Sequence, residues 1–298
     1  MLARAAAISC SLIFASACQR TPAGPQPAAS AQPAPSATAA VPELDAVLHL
    51  PPQKAGQKAP LLVLLHGLGS SGQELAAGSD WPTFAEAHGI AWVAPNGPFD
   101  RRGRRFWAAG PECCNFDQLP VDHVAALGAL ITRLGASAGV DGSRVYVGGH
   151  SNGGFMAHRL ACERPDLVRG IVAIAGTGPM SRSACKAPGS LRVLHIHGEQ
   201  DPIVTYPGGH LFRNSAYPEH LSAQRTASDW AQSLGCDPTP SAAPALNLET
   251  QLPGAETRVD AYQHCKAGAV ELWSVAGAAH YLGFRAPAPE AVWAFLSQ

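Results

Sequence analysis

Short runs of continuously apolar residues alternate along this chain with stretches in which apolar residues recur at helical spacing. Residues 61–65 include no polar side chain, which is typical of a strand buried on both faces of a sheet. Between 121 and 138 apolar residues instead recur three or four positions apart, which indicates a helix. Strands that alternate with helices build a mostly parallel sheet covered on both faces. The predicted fold class is therefore α/β.

The same patterns predict the other elements. We expect strands at residues 90–94, 145–147, 168–174, 191–196, 257–262 and 270–275, and helices at 81–88, 153–162, 218–234 and 292–296. No internal repeat and no second domain boundary is evident, so residues 41–298 are predicted to form a single domain. The chain of 298 residues is 46% hydrophobic and has a net charge of −1, which does not favour nucleic acid or an anionic membrane as a partner.

The first 40 residues have the pattern of an export signal and a tether. Arg4 precedes an apolar stretch at 5–17, which is too short to span a bilayer and suits a signal peptide ending at residue 17. Cys18 follows Ala-Ser-Ala, as in a bacterial lipobox, so a lipid anchor on Cys18 and a plain secretory cleavage both stay open. Residues 18–40 are rich in Pro, Ala and Ser and should be a flexible tether. The expected location is outside the cytoplasm of a bacterium.

Export changes the interpretation of the cysteines. An oxidising compartment favours disulfides over thiols for the six cysteines of the domain, namely Cys113, Cys114, Cys162, Cys185, Cys236 and Cys265. Zinc is disfavoured because no second close pair accompanies Cys113 and Cys114, and no metal site is predicted. Six cysteines allow about 15 connectivities, and their spacing does not choose among them.

The motif Gly149-x-Ser151-x-Gly153 lies between a predicted strand and a predicted helix. This is the context of a nucleophile elbow, in which a serine sits on a strained turn and the helix N-terminus faces the developing oxyanion. The alternative is a glycine-rich loop without catalytic meaning. The context favours Ser151 as the nucleophile.

A serine nucleophile needs a base and an acid that orients the base. Asp201 follows the strand at 191–196, and His280 follows the strand at 270–275, so both lie where the carboxyl ends of parallel strands meet. The order Ser151, Asp201, His280 is that of the α/β hydrolases. Glu199 is the rival acid, but a solvated loop position suits it better.

Two backbone N–H groups should form the oxyanion hole. We assign them to Asn152, which follows the nucleophile, and to Leu68 in the glycine-rich loop after the first buried strand. His66 should shape that loop, and His150 should pack beside the nucleophile. The remaining histidines of interest fall into two groups: core or supporting positions for His195 and His197, and solvated positions for His210, His220 and His264.

An ordered set of motifs runs through the domain. It comprises His66-Gly-x-Gly-Ser-Ser-Gly72, Pro95-Asn-Gly97, Phe106-Trp107, Cys113-Cys114, Gly149-His-Ser-Asn-Gly-Gly154, Arg159-Leu-Ala-Cys162, His197-Gly-x-x-Asp201 and Gly277-x-x-His280. Over about residues 60–298 the set resembles the secreted polyhydroxybutyrate depolymerase / feruloyl esterase-like hydrolases. The resemblance implies an α/β-hydrolase fold, no cofactor and hydrolysis of esters by Ser151, Asp201 and His280. It also implies the disulfides Cys236–Cys265 and Cys162–Cys185.

Two departures from the family pattern stand out. Tyr281 follows His280 where relatives often have a Trp-Pro-Gly, and His123 stands where they often have Asp. Because the first departure adjoins the expected site, the substrate is left open among feruloyl, acetyl and polyhydroxyalkanoate esters. Phe106, Trp107 and Tyr281 are the candidate walls of an acyl pocket, with simple core or rim packing as the alternative.

The predicted function is an exported serine esterase acting on a small or polymeric ester. Two alternatives are a peptidase of the same fold and a non-catalytic, glycan-binding lipoprotein.

Overall fold

The computed structural model describes residues 43–52, 56–137 and 139–298. The predicted signal peptide, Cys18 and the tether at 18–40 lie outside the described residues. No helix in the described ranges is both long and apolar enough to cross a membrane.

Eleven strands and six α-helices are assigned in the described part of the chain. The strands are β1 Ala46–His49, β2 Ala59–Leu65, β3 Ala91–Pro95, β4 Val140–His150, β5 Gly170–Ile174, β6 Leu191–Gly198, β7 Gly209–His210, β8 Glu219–His220, β9 Ser241–Leu246, β10 Thr257–Tyr262 and β11 Gly268–Val275. The helices are α1 Gly72–Ala77, α2 Trp81–Ala87, α3 His123–Gly135, α4 Asn152–Glu163, α5 Ala223–Ser233 and α6 Pro287–Leu296, with a 3₁₀ turn at Leu211–Arg213.

Nine strands form the main sheet in the order β1-β3-β2-β4-β5-β6-β11-β10-β9. The six strands from β3 to β11 in that order run parallel, while β1 at one edge and β10 and β9 at the other pair antiparallel. The predicted mostly parallel sheet is therefore confirmed. Because the inner strands are parallel, their carboxyl ends gather the loops after β2, β4, β6 and β11 at one edge.

The apolar core lies on both faces of this sheet. Leu61, Val63 and Leu65 point to the face covered by α3, α4 and α5, whereas Leu62 and Leu64 point to the face covered by α2 and α6. Alternate residues of a strand face opposite sides, so only a strand buried on both sides needs an unbroken apolar run. All five of these leucine and valine side chains are no more than 2% exposed.

Several boundaries differ from the sequence prediction. Strand β4 begins five residues earlier than expected, because its first part includes the exposed polar residues Ser143 and Arg144 and shows no apolar run. The helix predicted at 218–234 starts at Ala223, where the Ser222 hydroxyl accepts a hydrogen bond from the Arg225 amide. Strands β1 and β9 were not predicted, since they lie at the edges and keep exposed residues.

Candidate active site

Ser151 lies between β4 and α4 in a backbone conformation that residues with a side chain rarely adopt. Its φ is 55° and its ψ is −120°, and a non-glycine residue at positive φ stores about 1–3 kcal/mol of strain. Two backbone bonds hold the turn: the Ser151 amide donates to Ile174 (2.8 Å) and its carbonyl accepts from Phe155 (3.0 Å). The serine therefore has the geometry of a nucleophile elbow.

The glycines on either side of Ser151 are required by close backbone contacts. A Cβ on Gly149 would lie 2.2 Å from the Gly153 oxygen, and one on Gly153 would lie 2.1 Å from the Leu65 oxygen. Both positions are closer than a carbon can approach. The helix can thus pass the strand ends only if these residues lack side chains, which explains the Gly-x-Ser-x-Gly spacing physically.

Asp201 lies three residues beyond β6 and is buried, with 1% of its surface exposed. Its Oδ1 accepts hydrogen bonds from the amides of Ile203 (2.7 Å) and Val204 (2.9 Å). Burial raises the pKa of this carboxyl, but hydrogen bonds from His197 and His280, the charge on His280 and the Ile203 amide outweigh it, so the pKa lies well below its usual range. Asp201 is therefore ionised at neutral pH.

His280 lies in the loop after β11 with its Nδ1 only 2.7 Å from Asp201 Oδ2. A carboxylate can only accept, so Nδ1 carries the proton and the opposite nitrogen, Nε2, is free to act as a base. Backbone bonds tie the two loops together, since the Gln200 amide donates to Ala278 (2.9 Å). Gly198 permits this contact, because a Cβ there would lie 2.3 Å from the Ala279 oxygen.

Ser151 and His280 meet at the same edge of the sheet without a direct hydrogen bond among the described contacts. His150, the neighbour of Ser151, links them: its Nε2–H donates to the His280 carbonyl (2.9 Å), and the two rings lie 4.8 Å apart. Hydrogen bonds between a nucleophile and its base are often formed only in the substrate complex. The fold thus brings Ser151, His280 and Asp201, the three residues predicted for the triad, to one edge of the sheet.

The loop after β2 is held by buried hydrogen bonds on His66. Its Nε2 accepts from the Gly97 amide (3.0 Å), its Nδ1 donates to the Gly67 carbonyl (2.8 Å), and its own carbonyl accepts from Trp107 Nε1 (3.1 Å). Burial lowers the pKa of His66 to about 4, so this ring is neutral near pH 7. A Cβ on Gly67 would lie 3.6 Å from Ser151 Cβ, so the loop preceding Leu68 passes beside Ser151.

Phe106 and Trp107 are placed differently from the acyl-pocket role predicted for them. Both side chains are fully buried, and neither lines the cavity beside Ser151. The Asn152 side chain instead binds the backbone of Trp107, accepting from its amide (2.7 Å) and donating to its carbonyl (2.8 Å). Trp107 therefore supports the elbow through its backbone, and both aromatic side chains pack in the core instead of lining the pocket, which corrects the prediction.

Two histidines contribute more than the sequence indicated. His123 is fully buried, packs edge-on against Phe106 and Trp107, and accepts a hydrogen bond from the Ala108 amide (2.7 Å). His150 fixes the carbonyl of His280, as described above. In the sequence, only the departure from the family pattern at position 123 draws attention to His123. Nothing in the sequence indicates the contact between His150 and the His280 carbonyl.

A cavity of about 280 Å³ opens directly beside Ser151. Tyr281 is 77% exposed and lies at the border of this cavity, and its contact with a substrate stays a prediction. A second cavity of about 450 Å³ adjoins the first and shares the lining residues Gly78, Ser79, Trp81, Ile174, Leu282 and Phe284. The groove that starts at Ser151 thus continues toward α6, and its shared walls are mainly apolar.

The remaining residues singled out in the sequence agree with their predicted environments in some cases and not in others. Glu199 pairs with Arg258 (3.3 Å) and makes no contact with His280 among the described hydrogen bonds and ion pairs. His220 is only 3% exposed, which corrects the prediction that it is solvated: its Nδ1 donates to the Leu221 carbonyl. His264 is exposed beside Asp237, and His195 and His197 are fully buried.

Three disulfides are present in the described residues. Cys162–Cys185 ties the end of α4 to the loop before β6, and Cys236–Cys265 ties the segment after α5 to the β10–β11 hairpin. These are the pairings that the family resemblance implied. The third joins Cys113 to Cys114 beside Asn152. Within the described ranges, no group of three or more His, Cys, Asp or Glu side chains is arranged to hold a metal ion.

Comparison with known proteins finds similarity to esterases. A family described as Phospholipase/Carboxylesterase matches residues 121–224. Feruloyl esterase B of Piromyces equi is 26% identical over 243 residues, covering 80% of this chain and 42% of that protein. Poly(3-hydroxybutyrate) depolymerase of Ralstonia pickettii is 30% identical over 144 residues, covering 45% of this chain and 28% of that protein. The chain spans less than half the length of these curated relatives.

Among solved structures, the acetyl xylan esterase from Aspergillus awamori superimposes with a TM-score of 0.59 at 15% identity, covering 85% of this chain and 94% of that one. At this identity the likeness concerns the fold alone. Together with the observed sheet, it shows that the chain has the α/β-hydrolase fold. The resemblance to the polyhydroxybutyrate depolymerase / feruloyl esterase-like hydrolases, which the motifs predicted, is confirmed.

Proposed function

We propose that this chain is an exported serine hydrolase of carboxylic esters with Ser151 as nucleophile, His280 as base and Asp201 as the orienting acid. The observation that carries the proposal is the 2.7 Å contact between His280 Nδ1 and the buried Asp201 carboxylate, at the sheet edge that holds the Ser151 elbow. The names of the relatives support the ester as the bond that is cleaved.

The proposed reaction proceeds through an acyl-enzyme. His280 Nε2 takes the proton of Ser151 Oγ as the oxygen attacks the ester carbonyl, and the amides of Leu68 and Asn152 receive the oxyanion. His280 then gives the proton to the departing alcohol. Water repeats the sequence on the acyl-enzyme and releases the acid, which restores Ser151. Asp201 stabilises the charged form of His280 in both halves.

The groove beside Ser151 supports an ester with an apolar or aromatic acyl group. Leu75, Trp81 and Phe284 contribute to its walls, and no Lys or Arg side chain lines either of its two cavities in the described structure. A feruloyl, acetyl or hydroxyalkanoyl group would each satisfy this chemistry. A screen over feruloyl, acetyl-xylan, polyhydroxyalkanoate and simple short-chain esters would choose among them.

The decisive experiment measures hydrolysis of a short-chain p-nitrophenyl ester and of a peptide p-nitroanilide by the purified protein. We expect ester hydrolysis that falls by about 10⁴-fold or more in Ser151→Ala, since removal of a triad member leaves only the residual effect of the oxyanion hole and binding. Ser183→Ala changes an exposed loop serine that is bonded only to Ser181 among the described contacts; this variant is the control and should keep full activity. Amide cleavage without ester cleavage, or full activity in Ser151→Ala, would overturn the proposal.

The proposed location is testable separately. If a signal at residues 1–17 leads to lipidation of Cys18 and the segment 18–40 tethers the domain, Cys18→Ser should release the protein from the membrane fraction. Cys10→Ser changes the other N-terminal cysteine and should leave the fractionation unchanged. Equal fractionation of the two variants would contradict the anchor.

A further inference from the structure

Three histidines, none with exposed surface, lie in a line that ends at the proposed catalytic acid. His158 Nε2 lies 3.3 Å from His195 Nδ1, and His195 Nε2 lies 3.1 Å from His197 Nδ1. His197 Nε2 lies 2.7 Å from the Val204 carbonyl and 3.3 Å from Asp201 Oδ2. The rings come from α4 and β6, so folding alone brings them together. The reaction proposed above does not use them.

The far end of this line, at Trp230, fixes the direction of its hydrogen bonds. Trp230 Nε1 lies 2.9 Å from His158 Nδ1, and an indole nitrogen can only donate. His158 Nδ1 must therefore accept, which puts the single proton of the neutral ring on Nε2. That N–H faces His195 Nδ1, so the proton of His195 is also on Nε2.

The near end of the line, at Asp201, independently gives the same positions for the ring protons. The Val204 carbonyl and the Asp201 carboxylate are both acceptors, so the His197 Nε2 between them must carry a proton. In a neutral His197 the Nδ1 then accepts, and it can accept only from His195 Nε2–H. Both ends thus impose the Nε2–H tautomer on all three rings.

Burial keeps His158 and His195 neutral, since it lowers the pKa of both rings. Every ring nitrogen that could take another proton already faces an N–H, so an additional proton would break a bond in the line. Burial, followed by the positive charge of Arg182, lowers the pKa of His158 to about 3. The Arg182 guanidinium lies 4.4 Å from the centre of the Trp230 ring, which places a cation at the far end.

The geometry assigns Trp230, His158, His195 and His197 to a relay that positions Asp201 by holding His197 in its Nε2–H tautomer. His197 anchors the Val204 carbonyl, and the Ile203 and Val204 amides hold Asp201 Oδ1, so that Oδ2 faces His280 as well as His197. The other tautomer would turn a lone pair toward two acceptors and push the acid loop apart. These are positioning residues, and their effect on catalysis rests on the proposed esterase function.

The tautomers are tested without any activity. Long-range ¹H–¹⁵N NMR of the ¹⁵N-labelled full chain at pH 7 should show neutral rings protonated on Nε2 for His158, His195 and His197. A proton on Nδ1 of any of the three rings would overturn the relay.

The effect on catalysis is tested with two matched tryptophan variants. Trp230→Phe removes the N–H that sets the direction, whereas Trp92→Phe removes a buried indole N–H that has no hydrogen-bond partner in the described structure. For a short-chain ester we expect Trp230→Phe to lower kcat about tenfold with KM unchanged, as outer partners of a functional site often do. Trp92→Phe should retain the parent kcat. Equal kcat in the two variants would overturn the positioning role.

A second pair tests the near end of the relay. Gln at position 197 retains an N–H that can reach Val204, and Leu does not. His197→Gln should therefore recover most of the kcat that His197→Leu loses, and equal loss in two folded variants would count against the relay. If the parent protein hydrolyses no ester, the proposed function fails, while the NMR result still decides the relay.

Discussion

Different kinds of side chain surround Ser151 on its two sides. Toward β6 and β11 the neighbours are buried polar groups, and each proton of the Asp201 network has a defined partner. Toward α1 and α6 the neighbours are mainly apolar side chains around open cavities. A hydrogen-bond network fails when one donor is lost, because the buried partner stays unpaired, whereas an apolar wall tolerates changes of shape. We therefore expect the first side to determine whether the proposed chemistry occurs, and the second to determine which acyl group enters.

The largest effect is expected from a change on the polar side that alters only one atom. Asp201→Asn keeps the shape of the side chain but replaces a carboxylate oxygen with an amide, so it no longer holds His280 in the tautomer with a free Nε2. We expect kcat to fall about 10⁴-fold, as for the equivalent change in other Ser-His-Asp enzymes. Ester hydrolysis by the purified variant measures this.

Glu199→Gln is the matched control for that prediction. Glu199 is two residues away in the same loop and pairs with Arg258 instead of His280. Its variant should keep kcat within the error of the parent protein. Comparable losses in both variants would mean that the loop, not the Asp201–His280 pair, sets the rate.

The sequence predicted the sheet and the positions of Ser151, Asp201 and His280 after its strands because both depend on local patterns. A buried strand followed by Gly-x-Ser-x-Gly can be recognised from a short stretch of sequence. Asp201 and His280 likewise each follow a buried strand within a few residues. The supports of the site depend instead on contacts between residues far apart in the chain, such as Asn152 with Trp107. The spacing of residues along the sequence gives no sign of such contacts. The sequence therefore predicted an acyl-pocket role for Phe106 and Trp107, although folding buries both side chains.

Two buried histidines, His66 and His123, should also make stability depend on pH. Burial lowers the pKa of His66 and of His123 to about 4, whereas an unfolded histidine titrates near pH 6.5. Between these values the unfolded chain binds more protons than the folded one, so the free energy of unfolding must fall as the pH falls from 6.5 to 4. Each ring contributes up to about 1.4 kcal/mol per pH unit, or about 3 kcal/mol in total. Urea unfolding at several pH values measures the slope.

Replacing one of these rings should reduce that slope. His123→Gln removes a titrating group that is buried in the folded state, so the dependence on pH should become shallower even if stability at pH 7 also falls. His264→Gln changes a side chain that is 83% exposed and serves as the control. If His123→Gln and His264→Gln both retain the parent slope, His123 does not contribute to the acid sensitivity.

The apolar side should respond to volume and not to charge. Leu282 lines both cavities at the point where the groove continues from Ser151 toward α6. A tryptophan there would narrow that passage without touching the Asp201 network. We expect Leu282→Trp to lower kcat/KM for a hexanoyl p-nitrophenyl ester about tenfold relative to the acetyl ester, a difference of 1–3 kcal/mol being usual for the fit of an apolar group. Leu48→Trp on the edge strand β1, where the side chain is 44% exposed, is the control and should leave the ratio of the two esters unchanged. Equal losses for the two esters in Leu282→Trp would mean that acyl length is not sensed at this junction, and the division of the site into a chemical side and a selective side would have to be redrawn.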